Sequence, residues 1–102
     1  MGAERRRYQR LVKPLHATLR GGSGASGCRI ADISWGGCFV QTLTTPQNHE
    51  RTEISFLVGT ETLGLEGHVV YVEPAMGFAM QFDPLTAEHV RVLKDLLGNP
   101  DL

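Results

Sequence analysis

Cysteine is scarce in this chain of 102 residues: only Cys28 and Cys38 occur. They form no Cys-x-x-Cys pair and have no paired histidines beside them, so neither a zinc site nor a redox motif is indicated. Both are expected as small core residues, since disulfides rarely persist in the cytosol. His16, His49, His68 and His89 are scattered at spacings that fit no metal site. None stands beside a serine or cysteine as the base of a nucleophile, so metal sites and catalytic residues are expected to be absent and the chain is not expected to be an enzyme. Long hydrophobic runs are also missing. Nothing approaches the roughly 18 apolar residues of a membrane span, and Met-Gly-Ala-Glu-Arg-Arg-Arg lacks the apolar stretch of a secretion signal. The expected compartment is therefore the cytoplasm, with no membrane insertion. Repeats and sustained heptads are lacking too.

What is present fits one compact domain: hydrophobic residues are 41% and charged residues 21% of the chain, as in ordinary globular proteins. The net charge of -1 hides an asymmetry. Residues 1 to 49 hold Arg5, Arg6, Arg7, Arg10, Lys13, Arg20 and Arg29 against only Glu4 and Asp32, whereas the second half is acidic. The first half is suited to meet an anion, and residues 1–10 are expected as a flexible basic arm.

After the arm, Leu15, Ala17 and Leu19 alternate with polar residues, the period of a strand with one buried face. The glycine-rich stretch 21–27 has no Lys-Ser/Thr ending that would grip a phosphate, so it is expected to be a flexible hairpin loop. Strand patterns resume at Cys28 to Ile33 and Cys38 to Leu43, with Asp-Ile-Ser-Trp-Gly-Gly as a turn between them. Ile54, Phe56 and Val58 follow, then Leu63, Leu65, Gly67, Val69 and Tyr71 on one face, then Phe78, Met80 and Phe82. Gly67 suggests a bend or bulge. Asp83-Pro84 ends the sheet, and Ala87, Val90, Leu93, Leu96 and Leu97 fall on one side of a helix over about 86–97, capped by Thr86 and closed by Gly98. Six or so short antiparallel strands with no helix between them, and one helix at the end, imply an all-β barrel or sandwich with a C-terminal α-helix, spanning 11–98.

Two motifs carry chemistry. Arg6 and Arg10 form Arg-x-x-x-Arg, and Asp32, Ser34 and Gly37 form Asp-x-Ser-x-x-Gly. Together with the later pair of runs, Gly67 to Val72 and Gly77 to Phe82, they resemble the PilZ domain family over roughly residues 4 to 98. That resemblance implies a six-stranded antiparallel β-barrel of the split-barrel kind with a C-terminal α-helix, a receptor that binds the bacterial second messenger cyclic di-GMP, without another cofactor, and passes the signal to a downstream protein partner. Its ligand-binding residues would be Arg5, Arg6, Arg10, Asp32, Ser34, Gly36 and Gly37, with Arg5 helping to hold a second, intercalated ligand molecule.

The residue types suit such a ligand. Arginine can bond a phosphate or a guanine Hoogsteen edge bidentately and can also stack on a base. An ionised Asp32 accepts from guanine N1-H and N2-H2, and Ser34 can donate to a phosphate or brace the turn. Gly36 and Gly37 allow positive φ and a close backbone approach. Ordering an arm of about six residues costs roughly 6 to 12 kcal/mol, and four or five charged or stacked contacts about cancel that. Affinity near micromolar is expected, about -8 kcal/mol. Two alternatives compete: a nucleic-acid-binding β-barrel and a ligand-blind protein-interaction adaptor. The first is disfavoured because Phe56, Tyr71, Phe78 and Phe82 sit at inward-looking positions and the second half is acidic, so no DNA or RNA partner is expected.

Overall fold

The computed structural model describes residues 11–12, 14–21, 24–43 and 46–99. Its elements in chain order are β1 (Leu15–Gly21), β2 (Gly24–Ile33), β3 (Gly37–Gln41), β4 (Arg51–Val58), β5 (Glu61–Glu73), β6 (Gly77–Phe82) and α1 (Ala87–Leu97). All pairings are antiparallel, in the order β1-β2-β3-β6-β5-β4, and β4 returns to β1 to close the barrel. The closing seam is short, with Thr18, Leu19 and Arg20 opposite Ser55, Ile54 and Glu53. The expected all-β barrel with a C-terminal helix is therefore the observed one. The arm at 1–10 lies outside the described residues.

Alternation fills the barrel. Ile54, Phe56 and Val58 on β4, Leu63, Leu65, Gly67 and Val69 on β5, and Phe78, Met80 and Phe82 on β6 are buried, while the residues that alternate with them are half-buried or exposed. α1 packs on β4 and β5 and buries Val92 and Leu93. Thr86 caps it: the Thr86 hydroxyl accepts from His89 N-H at 3.1 Å, and Thr86 N-H donates to His89 Nδ1 at 3.1 Å. Gly98 ends it at φ 77, its N-H donating to the Lys94 carbonyl at 2.9 Å. Among the described residues no helix is long and apolar enough to cross a membrane.

Three expectations need correction. Most of the stretch expected as a hairpin loop is strand: Gly21 ends β1, and Gly24 to Gly27 open β2 and pair with β1, Gly21 standing opposite Gly24. A ladder supplied by a neighbouring strand overrides the weak strand propensity of glycine and serine. Gly67 marks no bulge; its need is space, since a Cβ there would meet the Gln81 carbonyl oxygen at 2.0 Å. The register shift comes later, between Val69 and Tyr71. Because Val70 is the extra residue, the phase of β5 flips: Tyr71 turns outward and is 51% exposed, while Val72 packs against the core.

Candidate functional site: the corner between β2 and β3 and the outer face beside it

The Asp32-to-Gly37 motif forms the corner that joins β2 to β3. Ser34 N-H donates to the Gly37 carbonyl at 2.8 Å, closing the turn. The Ser34 hydroxyl donates to the same carbonyl at 3.4 Å and accepts from Gly36 N-H at 3.3 Å, so it is committed to the corner. Ser34 is buried, and Trp35 packs in the core at the strand join. Phe82 N-H donates to the Gly36 carbonyl at 2.9 Å, tying the corner to the end of β6.

The two glycines act differently from expectation. Positive φ occurs at Gly24, Gly59, Gly77 and Gly98 among the described glycines, and at neither Gly36 nor Gly37. At Gly37 the constraint is proximity, since a Cβ would lie 2.2 Å from the Met80 carbonyl oxygen. The absent side chain lets β3 meet β6 where the corner begins.

A bulge aims Asp32. Ile30 pairs with Val40 and Asp32 with Phe39, which leaves Ala31 as an extra residue. In a regular strand Asp32 would share the inward face of Ile30; the inserted residue moves it to the outer face and lets Ile33 point inward. The bulge at Val70 does the same for Tyr71. Across four neighbouring strands, Asp32 stands beside Phe39, Phe39 beside Ala79, and Ala79 beside Tyr71. Small Ala79 lets the rings of Phe39 and Tyr71 lean over it, with centroids 6.5 Å apart and planes tilted by 41°. The sequence pattern places Tyr71 inward and gives no role to Phe39. The available signal was the break in alternation at Val69-Val70, where two apolar neighbours cannot share a regular inward face.

Arg5, Arg6 and Arg10 lie outside the described residues. The segment that carries them enters the described structure at Leu11, which pairs with Ile33: Leu11 N-H donates to the Ile33 carbonyl at 2.7 Å and Ile33 N-H to the Leu11 carbonyl at 3.1 Å. Arg10 thus precedes a residue bonded to the centre of the Asp32-Ile33-Ser34 run. Arg51 and Arg91 are engaged elsewhere. Arg51 is bidentate to Asp83 and holds that carboxyl below the usual range. Arg91 bonds Glu88 and Glu61, and holds Glu88 low in the same way. No cluster of three His, Cys, Asp or Glu side chains suited to a metal occurs among the described residues.

A family model described as PilZ domain matches residues 4–99. No curated protein sequence matches. Among solved structures, the PilZ domain of CeSA from a cellulose-synthesizing bacterium superposes with a TM-score of 0.69 at 14% identity, covering 87% of this chain and 94% of that one. PlzA of Borreliella burgdorferi, solved in complex with c-di-GMP, gives 0.71 at 18% identity over 94% of this chain. The inhibitor of motility MotI/DgrA of Bacillus subtilis gives 0.66 at 17% identity over 91%. The chain spans 42% of the PlzA chain and 49% of the MotI chain. At these identities the likeness is one of fold.

Proposed function

The chain belongs to the PilZ family, and from that premise we propose that it is a cytoplasmic receptor for cyclic di-GMP that relays the signal to a protein partner, as a binding module and not an enzyme. The observation that supports the reading is the Leu11–Ile33 pairing, which bonds the residue that follows Arg10 in the chain to the corner bearing Asp32. Asp32 accepts from a guanine Watson–Crick edge, the outward pair Phe39 and Tyr71 offers a face for a base, and the arginines supply positive charge for the two phosphates. Gly36 and Gly37 keep the corner low enough for ligand to approach the backbone. Ser34 contributes by holding that corner rather than by reaching outward. Arg5 extends the cationic segment toward a second ligand molecule. The complex of PlzA with c-di-GMP supports the ligand class, and the inhibitor of motility MotI supports a regulatory role.

The outward Tyr71 removes one argument against nucleic acid. Yet Phe56, Phe78 and Phe82 are buried, and a single ring pair suits one base better than an extended strand.

Calorimetric titration with cyclic di-GMP tests the assignment. Wild-type protein is expected to bind near micromolar. Arg10→Ala and Asp32→Ala are each expected to weaken binding by about 10- to 150-fold, the loss of one charged hydrogen bond of about 1.5 to 3 kcal/mol. Arg6→Lys keeps the charge but loses the planar fork, so undiminished binding in that variant would contradict the arginine role. No heat at roughly millimolar ligand would overturn the receptor reading altogether.

A further inference from the structure

The barrel is closed, but not over its whole height. β2 pairs with β3 only from Arg29 onward, where Arg29 stands opposite Gln41, the last residue of β3. The start of β2, Gly24–Cys28, pairs with β1 on one side and, among the described residues, with no strand on the other. Gly24, Ala25, Ser26 and Gly27 are exposed. Strand edges in soluble proteins are ordinarily blunted by a lysine, a proline or an inward charge. This one carries none of them: its side chains are those of Gly, Ala, Ser, Gly and Cys.

Alongside the edge runs an open groove of about 420 Å³, bounded by His16, Cys28, Arg29, Leu43 and Met76. Leu43 and Met76 are 95% and 57% exposed, a large apolar surface for two residues at the rim. No carboxylate lines the groove, and Arg29 makes no ion pair among the described residues. The two faces of the edge also differ. His16 and Arg29 are cross-strand partners on the outer face, whereas Ala17 and Cys28 are partners on the inner face and pack against the core. A strand laid beside β2 would continue both faces, so its side chains would have to alternate between acidic and apolar. A second copy of this edge would instead bring another Arg29 and His16.

We propose that the free edge of β2 is a docking site for an extended acidic segment of a partner protein, which adds as a further strand, sets apolar side chains against Leu43 and Met76, and sets a carboxylate against Arg29. The site lies at the far end of β2 from the Asp32 corner and does not depend on the messenger reading. Main-chain bonds supply much of the affinity in strand addition, so a generic peptide of the right alternation is an adequate probe.

The test titrates isotope-labelled full-length protein with a capped synthetic peptide of alternating valine and glutamate, following amide shifts and hydrogen exchange. The amides of Gly24–Cys28 are expected to shift, with exchange slowed at least about tenfold at saturation. A valine–lysine peptide is expected to bind at least about tenfold more weakly, and Arg29→Glu to reverse that preference. A valine–glutamate peptide with alternate amides N-methylated keeps its side chains but loses its donors, and is expected not to bind. Any of four results would overturn the proposal: unmoved Gly24–Cys28 amides at roughly millimolar peptide, equal binding of the lysine peptide, equal binding of the N-methylated peptide, or protection of the edge that rises with protein concentration alone, which is self-pairing.

Discussion

An alanine at position 37 would set its Cβ 2.2 Å from the Met80 carbonyl oxygen, a backbone atom that can move only if β6 moves. Overpacking of this kind typically costs about 1 to 3 kcal/mol. Gly27 meets nothing within 4 Å when a Cβ is added, so Gly27→Ala is expected to be neutral or slightly stabilising. Urea unfolding of the two variants separates a close-approach requirement from a general intolerance of glycine replacement; equal midpoints would remove the account given for Gly37. Cys28 makes a second residue-scale case. Its half-buried thiol is pushed up to about 11 by burial. A raised value favours the neutral thiol in the folded state, so this stabilisation is complete below the ordinary thiol value and is lost as pH rises through about 11. Thermal melts in alkaline buffer are expected to fall more steeply for wild type than for Cys28→Ala.

At the scale of elements, α1 depends on its first turn. Thr86 and His89 satisfy each other's backbone donors, and Thr86→Ala is expected to destabilise by about 1 kcal/mol in denaturant unfolding, with β-sheet circular dichroism unchanged. That cap was legible in the sequence, as were the helix and the strands whose alternation is unbroken: β4, β6 and the first part of β5. Strand identity, the corner motif and the end of the sheet at Asp83-Pro84 could be read for the same reason, because each is set by residues adjacent in the chain. The bulges were not legible. Period-2 reasoning carries phase forward from Val69 to Tyr71 and assigns the ring inward, whereas a single inserted residue reverses every later side chain. The same device places Asp32 opposite Phe39. Thus the motif letters could be found, but the aromatic surface beside them is a product of register between strands far apart in sequence.

For the whole molecule, the proposed ligand joins two parts that the covalent chain links only through Leu11 and the short run before β1. Binding that needs both parts folded acts on stability by mass action: at about 100 times the dissociation constant it adds roughly 2.7 kcal/mol. For a domain near 100 residues each kcal/mol raises the melting temperature by about 4 to 8 °C, so saturating cyclic di-GMP is expected to shift the melt by roughly 10 to 20 °C. Among the described residues the core is built from the strands, the helix and Trp35 of the corner. A double variant, Arg6→Ala with Arg10→Ala, is therefore expected to melt with wild type when ligand is absent and to lose most of the ligand-induced shift. A drop in the ligand-free melt would mean that these arginines hold the barrel together and that their effect on binding is indirect. An undiminished shift would mean that the dianion is held elsewhere. Only an unchanged barrel with a lost response fits a receptor whose fold and ligand grip are carried by different residues.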